Sequence, residues 1–257
     1  MLLGVNLFLL VLVAGREARS AQYLERARDE AVSILEKNGI AMTAALPREM
    51  TLTAMTVTRD AAAEQAQAAG LLGEAAAAED GAGSYRGEKG TARFSADGTF
   101  SVSLNAGAYP QGGELPGRFG LACLRKMGFE GEASEYDEAS GTLTVRQTWQ
   151  DAPVFSCVAT LTYEDGELRG IQGARLTGTP SAEAGETPLT VATVLLRFLA
   201  YLKDTGVICR EIRSMTAGYT LSTVQINPVY MAPAWYIVTD IQSYYMDAVT
   251  GVVTVAG

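Results

Sequence analysis

Apolar residues recur along this chain in two rhythms, one near 3.6 and one near 2, which separate helical from extended stretches. From Gly15 to Asn38 the helical rhythm puts Leu24, Ala27, Ala31, Ile34 and Leu35 on one side, while Arg26 and Glu30 pair on the other. Gly39 supplies the stop. Two strand-like runs follow, Ile40–Ala45 and Thr51–Val57, split by Pro47. The alanines of Asp60 to Asp80 favour helix. After Ser84 the period drops to 2. Phe94 before an Asp97-Gly98 turn, with Phe100, Val102 and Leu104 after it, predicts a hairpin over Ala92 to Leu104.

A short helix is predicted over Glu114 to Met127, then strands at Thr142–Trp149, Val154–Tyr163 and Leu168–Thr177. Their turns fall at Gln150-Asp151 and Glu164-Asp165-Gly166. Thr187-Pro188 reads as an N-cap with proline in the first helical position, opening a helix to Asp204 that presents Val191, Leu195, Phe198 and Leu202. Strands at Val207–Thr216, Tyr219–Ile226, Ala234–Thr239, Ser243–Ala248 and Val252–Val255 complete the chain. An internal echo joins the two halves. Ala152-Pro153-Val154-Phe155 and Ala232-Pro233-Ala234-Trp235 share an Ala-Pro-x-aromatic pattern. Each is expected to open a strand that leads to a glycine-marked turn, Gly166 or Gly251, and each follows a helix. The expectation is an α+β fold with two helix-on-antiparallel-sheet units, preceded by an N-terminal helix and a small α/β segment. The expected boundaries are 1–15, 16–107, 108–180 and 181–257.

The first of these segments changes the picture. Leu2 to Ala14 is apolar apart from Asn6, and at about 1.5 Å per residue it covers about 20 Å of a hydrocarbon core near 30 Å. It is short for a membrane span and suits the apolar part of a signal or a truncated anchor, yet no basic residue precedes it. Arg16, Arg19, Arg26 and Arg28 follow instead, which favours the wrong orientation for export. A start upstream of Met1 would remove both conflicts.

Composition narrows the chemistry. The 257 residues include no histidine, so Ser-His-Asp triads, Cys-His thiol hydrolases and histidine-ligated zinc are excluded. With 20 Lys+Arg against 29 Asp+Glu, the net charge of −9 argues against a nucleic-acid partner. The acids gather in two places. Asp60, Glu64, Glu74, Glu79 and Asp80 lie in a segment without a base and predict a solvated helix face. Glu130, Glu132, Glu135, Asp137 and Glu138 predict a solvated strand-turn-strand, because the loop lacks the calcium-hand pattern. The glycines of Gly81–Gly90 lack the Gly-Lys-Ser/Thr ending of a phosphate loop. Cys123, Cys157 and Cys209 each sit in an apolar pattern and predict buried thiols. Tyr244 and Tyr245 beside Trp235 and Tyr236 form either a glycan-stacking platform or the core and surface faces of a terminal hairpin. No catalytic constellation, cofactor motif or metal motif stands out.

Two stretches carry a family resemblance. Gln147-Thr148-Trp149-Gln150-Asp151-Ala152-Pro153-Val154-Phe155, with Tyr163-Glu164-Asp165-Gly166-Glu167-Leu168 and Gly173, resembles the YycI/YycH-type extracytoplasmic regulators of Gram-positive bacteria. The ending, Ala232-Pro233-Ala234-Trp235 with Tyr244 to Val252, is similar to PepSY-like modules. Asn6 to Leu10 and Ile34 to Ile40 fit that family's anchor and following helix. Asp151-Ala152 departs from the family's usual glycine before the proline, and Asp60–Asp80 matches no family motif.

The resemblance implies a single-pass protein of the cell membrane with its bulk outside. It would be non-enzymatic and without cofactor, modulating a sensor histidine kinase of a cell-wall two-component system. A related regulatory protein is a second implied partner. Candidate contacts are Leu7, Phe8 and Leu10 in the anchor, and Trp235 and Tyr244 outside. The competing readings are a secreted PepSY-like protease inhibitor or chaperone module, and a glycan-binding cell-surface protein.

Overall fold

The computed structural model describes residues 21–78, 81–183, 185–222 and 228–256. In chain order its elements begin with helix α1 (residues 21–37), β1 (Ala41–Met42), β2 (Met55–Val57), α2 (Ala61–Leu72) and β3 (Ala76–Ala77). There follow β4 (Ser84–Gly87), β5 (Gly90–Phe94), β6 (Thr99–Leu104), α3 (Pro116–Arg125), β7 (Gly131–Asp137) and β8 (Thr142–Trp149). The remainder is β9 (Ala152–Glu164), β10 (Glu167–Ala174), β11 (Pro180–Ala182), α4 (Val191–Thr205), β12 (Glu211–Leu221), β13 (Val229–Thr239), β14 (Ser243–Asp247) and β15 (Val253–Val255). The class is mixed α+β. Residues 1–15, with Leu7, Phe8 and Leu10, lie outside the described residues, as do Glu79 and Asp80. Among the described residues no helix is long and apolar enough to cross a membrane.

The chain divides into two compact units, and the division differs from the expected boundaries. A terminal unit combines residues up to Leu52 with Glu186–Ala217 and from Pro233 onward. A central unit combines Thr53–Gly185 with Gly218–Ala232. The expected segment 16–107 is therefore shared out, because α1 and β1 belong with α4 and β12 in the terminal unit while α2 and β2 to β6 belong to the central one.

In the terminal unit, β1 runs parallel to β12 (Ala41 opposite Glu211), and β13, β14 and β15 continue as an antiparallel meander. Helix α4 buries Val191, Val194, Leu195, Phe198 and Leu202, a spacing that sets one apolar side on the sheet. Its start is Val191, three residues beyond the expected Pro188. The Leu189 N–H is committed to the Ala248 carbonyl at 2.7 Å, so the chain stays extended until Thr190, whose hydroxyl accepts from the Thr193 N–H. The Glu49 carboxylate accepts a further N–H at this end, from Val191 at 2.8 Å. Gly206, at φ +69°, closes the helix as expected. Ala31 and Leu35 of α1 join this core beside Trp235, Ile237, Tyr244 and Met246.

The central unit contains an antiparallel sheet in the order β7-β8-β9-β10-β6-β5-β4-β3. The hairpin of β5 and β6 forms at the expected turn, with Phe94 opposite Phe100. Asp97 organises it by accepting from both the backbone N–H (2.9 Å) and hydroxyl (2.7 Å) of Thr99. Helices α2 and α3 bury Leu71, Leu72, Cys123 and Leu124 against Val102, Leu143, Leu161 and Ile171. Gly70 and Gly120 permit this approach: a Cβ at the first would strike the Lys126 carbonyl, and at the second the side chains of Leu143, Leu161 and Tyr163.

Three further expectations change. Ala152-Pro153 opens β9, but Ala232-Pro233 lies inside β13, so the echo is not one of strand starts. The two runs Val207–Thr216 and Tyr219–Ile226 contribute to a single strand, β12, and residues 223–227 lie outside the described set. The sheets are not purely antiparallel, since β12 also meets β9 in parallel, Tyr219 opposite Val154.

Candidate functional site

The Ala-rich segment contains the largest departure from its sequence reading. Asp60 caps α2 by accepting the Ala63 N–H at 3.0 Å, which sets Arg59 just before the helix and Glu64 in its first turn. Glu64 is 1% exposed, not solvated. Arg59 grips it in bidentate fashion, Nε to Oε1 at 2.9 Å and Nη2 to Oε2 at 2.8 Å. Arg175, just beyond β10 and 5% exposed, brings Nη2 to 3.5 Å from Glu64 Oε1. The Nη1 of Arg175 donates to the Gln67 Oε1, and its guanidinium lies 4.2 Å from the centre of the Phe94 ring. Burial pulls the Arg175 guanidinium below its ordinary range, partly offset by Glu64. The hydrogen bond to Glu64 pushes Arg59 upward.

Two positive charges thus share one buried carboxylate, tying α2 to the segment after β10. A general base needs a free lone pair beside a substrate, whereas both Glu64 oxygens are occupied. Two cavities flank this network within the central unit. One, of about 220 Å³, is bounded by Val57, Asp97, Ser156, Leu176 and Val229. The other, of about 150 Å³, is bounded by Asp60, Gln67, Glu130, Gln147 and Trp149. Gln147 is a buried partner in this region: its Oε1 accepts the Leu176 N–H at 2.8 Å.

The three thiols are free and buried, as their apolar patterns predict. Burial pushes Cys157 up to about 12 and Cys123 to about 11, and also raises Cys209. None is poised as a thiolate. The acids of the Glu130–Glu138 stretch lie along the exposed strand-turn-strand of β7 and β8. Glu130 meets Arg125 at 3.1 Å, and Asp137 closes the turn through Ala139 N–H and the Ser140 hydroxyl. Among the described residues, no group of three His, Cys, Asp or Glu side chains is arranged to hold a metal ion.

Of the exterior candidates, Trp235 is 1% exposed and Tyr244 0%. Tyr244 packs edge-on against Phe198 at 5.2 Å and Tyr201 at 5.8 Å, and its hydroxyl accepts from Gln242 at 2.7 Å. Both belong to the terminal core, so the core alternative holds for them and neither is open to a partner. Tyr236 and Tyr245 pair across β13 and β14 at 5.2 Å. Sequence reading missed Glu64, Gln67, Arg175 and Trp149. Arg59, five residues before Glu64, was the one local signal of a buried pair.

No family model matches this chain, and no curated protein matches it significantly. Among solved structures it is similar to an uncharacterized protein from Eubacterium rectale, at 8% identity and a TM-score of 0.42, over 82% of this chain and 86% of that one. It is also similar to the C-terminal domain of YpeB from Bacillus megaterium, at 15% identity and a TM-score of 0.38, over 82% of this chain and 100% of that one.

Proposed function

We propose that this chain is a non-catalytic regulator that works by protein–protein contact outside the membrane, biasing a sensor histidine kinase of a cell-wall two-component system between states. Residues 1–15 serve as its anchor, and its C-terminal part is a PepSY-like module. The observation that carries the non-catalytic reading is that the reactive groups drawn inside are committed to the architecture. Both oxygens of Glu64 are gripped by Arg59, and Cys157 is held at about 12 by burial. The regulatory part of the reading rests on the family resemblance. Tyr23, at the start of α1 and 72% exposed, follows residues 1–15 in the chain and offers an exposed aromatic side chain for such a contact.

Co-purification from membranes with the kinase of the same cell tests the contact. The expected result is a complex that survives Cys157→Ser and is weakened when Leu2–Ala14 is exchanged for an unrelated anchor or the outer units are deleted. Unchanged kinase signalling after both of those alterations would overturn the proposal.

A further inference from the structure

Helix α1 ends in a turn built around one dipeptide, Asn38-Gly39. The Gly39 N–H donates to the Glu36 carbonyl at 2.9 Å and the Ile40 N–H to the Leu35 carbonyl at 3.0 Å, the nested pair of bonds that stops a helix at a left-handed residue. Gly39, at φ +80°, is that residue. The turn carries Ile40 back into the terminal core, where it is 4% exposed, and hands the chain to β1. Asn38 adds a tie of its own, its Nδ2 donating to the Ile34 carbonyl at 2.8 Å. Asn38 and Gly39 are both exposed, and a terminal helical turn opens far more readily than the core behind it.

An asparagine side chain can be attacked at its amide carbon by the backbone nitrogen of the next residue. Here a bond would form between the Gly39 nitrogen and Asn38 Cγ, the Cγ–Nδ2 bond would break, and the Gly39 N–H proton would leave with Nδ2 as ammonia. Water then opens the resulting succinimide at either carbonyl, giving aspartate or, with the main chain rerouted through Cγ, isoaspartate. Crowding about the attacking nitrogen limits the first step, and a glycine crowds it least. The four asparagines differ in this respect. Asn6 is followed by Leu7, Asn105 by Ala106, and Asn227 by Pro228, whose nitrogen has no hydrogen to give up, whereas Asn38 is followed by a residue without a Cβ. Asn105 is also exposed, with its Nδ2 on the Glu88 carbonyl at 2.9 Å, so it matches Asn38 in surroundings and differs in its successor.

We infer that Asn38-Gly39 is a site of spontaneous deamidation, with water as the co-reactant, and that isoaspartate formation there undoes the stop of α1. Rerouting puts a further backbone atom inside the loop closed by the Ile40–Leu35 bond, so the nested bonds no longer close in register. Ile40 and the pairing of Ala41 beside Glu211 lose the turn that sets them. The aspartate product keeps the native main chain, but it loses the donor to Ile34 and brings a negative charge to the negative end of the helix. The site stands or falls independently of the kinase partnership proposed above.

The test incubates the full chain in warm, mildly alkaline buffer and follows Asn38 and Asn105 together by peptide mapping and mass spectrometry. Labelling with an isoaspartyl methyltransferase tells isoaspartate from aspartate. Conversion at Asn38 to both products is expected while Asn105 stays intact. The stop of α1 is read by amide hydrogen exchange at Gly39, Ile40 and Ala41, whose N–H groups are bonded to Glu36, Leu35 and Arg210. The isoaspartate fraction, separated by chromatography, should lose protection at all three. Asn38→Gln closes its larger imide far more slowly, so that variant should pass through the same incubation with its mass and its protection unchanged. Asn38→Asp supplies the other product on a native main chain and should lose less protection than the isoaspartate form. An intact Asn38 after the incubation, or conversion of Asn105 at the same rate, would overturn the site. Full protection of Ile40 in the isoaspartate fraction would overturn its effect on the helix.

Discussion

The two units build their interiors from different materials. Among the described residues, the polar and charged side chains buried in the central unit are Glu64, Ser84, Gln147, Arg175 and Thr177, whereas in the terminal unit there is Thr239. The terminal core is aliphatic and aromatic, centred on Leu195, Phe198, Trp235 and Tyr244. Apolar contact is non-directional and tolerates repacking as long as volume is kept. A buried ion-pair network fixes angles and distances but tolerates no missing member. The central unit therefore has the interior suited to holding side chains such as Gln67 in one orientation, and the terminal unit has the one suited to plain stability.

This contrast can be broken at several depths. Each unit contains one tryptophan, Trp149 in the central and Trp235 in the terminal unit, so single-tryptophan variants report on each separately. Glu64→Ala strands Arg175 as an unpaired buried charge and should cost the central unit about 3–5 kcal/mol in urea unfolding followed through Trp149. The joint replacement Glu64→Leu with Arg175→Met should recover most of that loss, since apolar residues of similar volume replace such pairs well. A double variant as unstable as the single one would mean that the network holds the unit together through more than this pair.

In the terminal unit, Phe198→Ala should cost a similar amount, about 3–5 kcal/mol through the cavity it leaves, with Trp235 as the reporter. Adding salt should leave that loss unchanged. Smaller by several-fold is Thr190→Ala, at about 1 kcal/mol for the lost cap of α4, while Thr187→Ala should cost far less. Equal costs at the two threonines would restore the helix start expected from Thr187-Pro188.

The smallest effects concern pH. The Thr99 hydroxyl and then its N–H hold Asp97 below the ordinary carboxylate range, and the Arg210 N–H does the same for Asp240 in the terminal unit. A carboxyl depressed in the folded state stabilises it when ionised. That contribution is complete above the unfolded value and disappears as pH falls through the folded one. Asp97→Asn and Asp240→Asn should therefore each narrow the gap in stability between neutral and acidic solution, measured by thermal unfolding across pH.

Much of the local architecture was legible because local chemistry dictates it. The β5–β6 hairpin needs little beyond Asp97-Gly98 and the phenylalanines that face each other across it. The buried stripe of α4 and the Gly206 stop are likewise written within one stretch of chain. The start of α4 was misread because the competing bond to Ala248 comes from a distant strand end. Glu64 was illegible for the same reason in stronger form. An alanine-rich helix has little contrast between its faces, and Gln67, one turn on, meets Arg175 across 108 residues of sequence. Trp149 was visible as part of a family-like motif, but neither its unpartnered N–H nor the glutamines beside it could be read before the strands were in register.

The pairing of Ala41 with Glu211 also sets a schedule. On a ribosome that adds about 5–20 residues per second, α1 and β1 emerge on the order of ten seconds before the helix and strands they pack against. Thr53–Gly185, the greater part of the central unit, is threaded out in that interval. The first of the described helices to be made is thus among the last to find its core. Through the wait, Ala31 and Leu35 travel uncovered, as apolar surface whose partners have yet to be made.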